Sequence, residues 1–107
     1  MPVFQTRLCP TIRGAIFRAR RWFYGTYART ENEEVRRRNI ERWKRLAGLL
    51  VNLSSERGLS DKAGRIIIEY NEIVNLDGSK EFDPVIVRIE VYEKLDEIVV
   101  NLKEQGE

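Results

Sequence analysis

The 107-residue sequence contains no histidine and one cysteine. Without histidine the chain lacks the side chain that most often serves as general base and metal ligand. Cys9 has no imidazole to activate it and no second thiol for a disulfide, which points to an intracellular, cytoplasmic protein. Beside Pro10 it reads as a small, partly buried hydrophobe. No apolar run approaches the ~20 residues that cross a bilayer. Arg18, Arg20 and Arg21 interrupt any signal-peptide core, so neither a membrane partner nor export is expected. Glycine loops of the nucleotide-binding kinds are also missing. Glu69, Glu72, Asp77 and Asp83 surround a turn, where carboxylates are ordinary. Glu90-Val91-Tyr92-Glu93-Lys94 lacks the Glu-x-Lys spacing of restriction-type nucleases. These absences predict a protein without catalysis, cofactor or metal.

Acidic residues are missing from one region in particular. The first 29 residues hold six arginines and no Asp or Glu. Residues 1–58 carry twelve Arg and one Lys against five Glu, a net +8, while residues 59–107 carry six basic groups against twelve acids, a net −6. The overall net charge of +2 conceals this division. Such a chain offers one face to a polyanion, or else its two halves neutralise each other internally. Fourteen Arg against five Lys, with only two Gln, also suits a thermophile.

What the basic region does contain is aromatic. Between Ile16 and Arg29 lie Phe17, Trp22, Phe23, Tyr24 and Tyr27, interleaved with Arg18, Arg20 and Arg21. Guanidinium groups neutralise phosphate, and aromatic faces stack on unpaired bases. As a helix after Pro10-Thr11, the segment puts Ile12, Ala15, Ile16, Ala19, Trp22 and Phe23 on one side. Arg13, Phe17, Arg20 and Tyr24 then share another, with Arg21 adjacent. As a strand, it puts Arg18, Arg20, Trp22 and Tyr24 on one face. The helix is taken as the expected form, and either geometry mixes arginine with aromatics. Phe17, Tyr24 and Tyr27 are the expected stacking residues, and Trp22 is core in the helix and platform in the strand.

A long helix is predicted over roughly 31–57. Thr30-Glu31-Asn32-Glu33 fits a capping box, and Gly58 is a natural stop. Val35, Ile40, Trp43, Leu46, Ala47, Leu50 and Leu53 recur at three- and four-residue spacing, with Trp43 in mid-stripe. The run Arg36-Arg37-Arg38 is offset by i,i+4 pairs expected for Glu33–Arg37, Glu34–Arg38 and Glu41–Arg45. From Arg65 to Val74 the β-branched residues predict a strand, Asp77-Gly78 a turn and Asp83-Pro84 the end of a loop. Val85, Val87, Ile89 and Val91 alternate along a second strand, and residues 97–102 read as a third strand or the start of a final helix, the strand preferred for Ile98-Val99-Val100. One domain spans residues 1–107. Its expected class is α+β, an antiparallel meander packed on the long helix behind a basic aromatic N-terminal helix.

The stretch Arg18-Ala19-Arg20-Arg21-Trp22-Phe23-Tyr24, followed by Asn39-Ile40-Glu41-Arg42-Trp43-Lys44-Arg45-Leu46, resembles the small archaeal ThermoDBP-related proteins in composition and order of elements. That resemblance implies an α+β domain whose apolar cleft, edged by basic residues, holds single-stranded RNA or DNA. Leu95–Glu107 is too short for the C-terminal coiled coil of ThermoDBP itself. From residues and resemblance together, the expectation is a single-strand nucleic-acid binder, RNA ahead of DNA. Its contact residues are Arg13, Phe17, Arg18, Arg20, Arg21, Trp22, Tyr24, Tyr27, Arg29 and Arg37. The alternative is an interaction module that docks the basic segment on an acidic protein or on a second copy of the chain in a homodimer.

Overall fold

Thr11 starts the first helix. A computed structural model describes residues 1–103. In it Thr11 is extended, and its hydroxyl accepts the Gly14 N–H at 3.0 Å, an N-cap worth ~1 kcal/mol. The helix α1 (Ile12–Thr26) closes at Tyr27, whose N–H donates to the Phe23 carbonyl at 2.8 Å. The second helix, α2 (Glu33–Glu56), is capped by Asn32 and not by Thr30. The Asn32 side chain accepts from the Val35 N–H at 3.1 Å and donates to Asp77 at 2.9 Å, which ties the cap to the distant turn. Gly58 follows the end of α2 with φ of +66°, a left-handed conformation that costs other residues about 1–2 kcal/mol.

The sheet has the order β1-β2-β3, formed by β1 (Val3–Gln5), β2 (Ala63–Val74) and β3 (Lys80–Tyr92). Both pairings are antiparallel, with Phe4 opposite Ile68 and Ile68 opposite Val87. A bulge at Glu69/Tyr70 absorbs an extra residue of β3 near Pro84. Asp83-Pro84 lies inside β3 and does not end a loop. The third strand is therefore Val3–Gln5, at the opposite edge from the expected one. Residues 97–102 form no strand. They find no partner among the described residues, and β-propensity without a neighbouring strand has no hydrogen bonds to propagate. Residues 104–107, the end of the Leu95–Glu107 stretch, lie outside the described residues.

Both helices lie against the sheet, α1 over β2 and α2 over β3. Ile12, Ala15, Ala19, Phe23, Trp43 and Leu50 meet Ile66, Ile68 and Phe82 in one buried core. Gly64 lets the layers approach, because a Cβ there would fall 2.2 Å from the Glu90 carbonyl oxygen and 2.3 Å from Ile12 Cδ1. Asn39 is fully buried and fully bonded. Its amide donates to the carbonyls of Tyr27 and Lys80, both at 3.0 Å, and its oxygen accepts the Phe82 N–H at 2.9 Å. Glu81, also buried, faces Arg38 at 3.2 Å and Arg42 at 3.5 Å. Of the three i,i+4 pairs expected on α2, only Glu34–Arg38 is among the ion pairs of the described residues, at 3.5 Å. Among the described residues no helix is long and apolar enough to cross a membrane.

Candidate nucleic-acid interface

The helical period of α1 divides its side chains into three groups. Ile12, Ala15, Ala19 and Phe23 enter the core. Arg13, Phe17, Arg20 and Tyr24 line up on the flank that faces α2. Opposite them, α2 presents Lys44, Ala47 and Val51 at three- and four-residue spacing. The two rows border a groove of about 450 Å³, floored by Ile16, Trp43 and Ala47. Phe17 is 55% exposed at its edge. A smaller hollow of about 200 Å³ between Phe17, Arg20, Arg21 and Tyr24 joins this groove to the back of α1.

The polar groups of the groove are mostly cationic and unspent. The Arg20 guanidinium sits 5.5 Å from the centre of the Tyr24 ring, a cation–π contact that leaves its N–H groups facing solvent. Tyr24 is held edge-on against Phe23, with centroids 5.3 Å apart. Arg13 pairs with Asp61 at 3.3 Å, but both side chains are largely exposed, so the pair is weak. Arg18, Arg20, Arg21 and Arg29 have no ion partner among the described residues and are exposed. Arg18 lies on the other flank of α1, beside Trp22, and Arg29 in the loop between the helices. Arg37 borders a shallow hollow of about 750 Å³ at the far end of α2, with Glu33, Glu34 and Glu41. Its nearest acid is Glu34 at 3.9 Å.

Besides Arg18, Arg29 and Arg37, two expected aromatic contact residues are not on this surface. Trp22 stacks on Phe4 with centroids 4.1 Å apart and planes 12° from parallel, so β1 occupies its face. Tyr27 is 2% exposed and packs against Phe23, Tyr70 and Phe82. Its hydroxyl donates to Glu72 at 2.6 Å. Burial first, and the Glu72 hydrogen bond second, hold that phenol well above its ordinary pKa. Tyr27 is thus a core residue and no stacking platform. It caps α1 and continues the four-residue spacing of Ala15, Ala19 and Phe23, so the helical period places it on the core side. Lys44 and Val51 are groove residues that the sequence pattern does not single out, and Ala47 is read there only as part of the core stripe. Their mutual spacing is the available signal, masked by the stronger stripe through Trp43.

In comparison with known proteins, no family model matches the chain, no curated protein matches its sequence and no solved structure matches its fold.

Proposed function

We propose that the α1–α2 groove binds single-stranded nucleic acid, with RNA ahead of DNA, and that the protein acts by binding and not by catalysis. The observation that carries this reading is the exposed Phe17 ring, set between Arg13 and Arg20 on a helix that has no acidic residue. An unpaired base gains ~1–3 kcal/mol by stacking on an aromatic ring. The flanking arginines supply the phosphate contacts that hold a backbone along the groove. A duplex keeps its bases paired and stacked, so it gains from the arginines but little from Phe17. The resemblance to the ThermoDBP-related proteins belongs to the same proposal and is not what supports it.

Titration of fluorescent single- and double-stranded oligonucleotides at two salt concentrations tests the reading. Single strands are expected to bind more tightly, and the preference is expected to persist at the higher salt because stacking is not screened. Equal affinity for duplex and single strand at both salt concentrations defeats the proposal. The basic segment is then better read as a dock for an acidic protein.

A further inference from the structure

On the side of α2 away from the groove, Asn39, Arg42, Leu46, Leu49 and Leu53 form a second row beside β3. The sheet order leaves β3 bonded on one side only. At the start of the row, α2 satisfies the free edge itself. Asn39 accepts the Phe82 N–H, and Arg42 Nη1 donates to the Phe82 carbonyl at 3.1 Å. Pro84 comes next and has no N–H to satisfy. From Val85 to Tyr92 no side chain or loop among the described residues bonds the outer edge of the strand. There α2 turns from polar to apolar. Leu49 and Leu53 are 51% and 42% exposed above two adjoining hollows of about 190 and 250 Å³, which share Leu49 and Val87. An open strand edge beneath an apolar overhang is the shape of a missing strand.

The chain carries a segment that fits it. Residues 93–101 take no regular structure, and Ile98, Val100 and Leu102 are 88%, 54% and 76% exposed. In an extended conformation these three fall on one face, with Glu97 and Asn101 on the other. Residues 97–102 then span ~20 Å, one residue short of the uncapped edge from Val85 to Val91. Arg45 and Arg57 border the two hollows without ion partners among the described residues. Of the acids near the segment, Glu93 pairs with Lys62 and Glu97 with Lys94, while Asp96 has no ion partner among the described residues. The segment is thus long enough for most of the edge, and Asp96 offers an unpaired acid to the two arginines.

We infer that the cleft receives residues 97–102 of a second copy of the chain, added as a fourth strand to the free edge of β3. The second copy is favoured over the chain's own tail by one observation. A return onto the same β3 needs a reversal directly after Tyr92, and no turn or bend occurs between Glu93 and Asn101. The tail is instead open to solvent, with Leu95 and Ile98 99% and 88% exposed. Exchange is reciprocal, so the two chains form a closed two-fold dimer that buries two tails and both free edges.

The mass of the full chain in solution, by light scattering after gel filtration, tests the inference. The parent is expected at twice the mass of one chain. The Ile98→Asp, Val100→Asp double variant and the Leu53→Asp variant are each expected at half the parental mass, with parental helix content. All three positions are exposed in the single chain, so the tail variant in particular leaves the core untouched. An equimolar mixture of the two variants should restore a dimer fraction, because one tail and one cleft remain intact. A parental dimer that survives the tail substitutions overturns the inference. So does a monomeric parent, whether hydrogen exchange then shows Ile98–Leu102 protected in its own cleft or an oligonucleotide protects Leu49 and Leu53.

Discussion

Phe4 and Trp22 stack face to face, with ring centroids 4.1 Å apart, and so fasten the first strand to the first helix. Trp22 also meets the edges or faces of Tyr27, Tyr70 and Phe82 within 6.0 Å, which makes it the hinge between β1 and the aromatic core. A side chain so placed contributes to folding and not to ligand contact. Trp22→Ala is expected to lower stability by about 3 kcal/mol, the low end for loss of a large aromatic because the site is partly exposed. Denaturant unfolding measures it. A fully stable Trp22→Ala protein that no longer binds single strands would place this ring in the interface after all.

The arginines separate by flank. Arg20 and Arg21 border the groove region and Arg18 faces away from it. Removing one phosphate contact to a single strand flattens the dependence of log affinity on log salt by about 0.7. Arg20→Ala and Arg21→Ala are expected to show this change, and Arg18→Ala to retain the parental slope. Parental slopes in the first two variants would move the binding face elsewhere.

Stacking distinguishes a single-strand binder from a general polyanion binder. Phe17→Ala is expected to weaken oligo-uridine binding by roughly tenfold, the middle of the range for one stacked base. Its melting temperature and its affinity for heparin are expected to stay parental, because the ring is exposed and uncharged. Tyr27→Ala is expected to destabilise the fold by ~3–5 kcal/mol instead, since it empties a buried aromatic site. A Phe17→Ala protein that binds oligo-uridine as the parent does removes stacking from the proposal.

Acid sensitivity should centre on the turn between β2 and β3. Asp77 is drawn down to about 2, first by the Ser79 hydroxyl, then by the Asn32 amide and the Ser79 N–H. A carboxylate with a lowered folded-state pKa stabilises the fold above its ordinary value of 3.8, and that contribution fades as the pH falls through about 2. Parent and Asp77→Ala should therefore differ in stability near neutral pH and converge as the pH drops through that window. Melting curves across it decide the matter, and a difference that is constant with pH rules out the ionised form as the stabilising one.

Much of this architecture is legible in the sequence where the pattern is local and long. The stripe through Val35, Trp43, Leu46 and Leu50 marks the buried face of α2, since three- and four-residue spacing needs nothing but the helix to give it meaning. Cap choice is less legible. Thr30 and Asn32 are both N-cap residue types, and the bond from Asn32 to Asp77, 45 residues away, helps to distinguish them. Strand pairing is the least legible. Val3–Gln5 is too short to show alternation, and Ile98-Val99-Val100 looks more like a strand than the segment that takes the third place in the sheet. The groove is legible on its α1 side alone. Tyr27 continues the four-residue spacing of Ala15, Ala19 and Phe23, a signal of burial that its basic, aromatic surroundings obscure.

The pairing of Val3–Gln5 with Ile67–Glu69 sets the order in which this fold can be assembled. The α1–α2 hairpin and the β2–β3 hairpin each close over short separations, whereas β1 must wait until more than sixty further residues exist. During synthesis the aromatic face of Phe23, Tyr27 and Trp43 therefore emerges well before Ile66 and Ile68 arrive to cover it. A three-residue strand held by one neighbour is also the first to be released. Amide exchange in the folded protein should consequently run fastest in the sheet at Val3–Gln5, with β2 and β3 still closed.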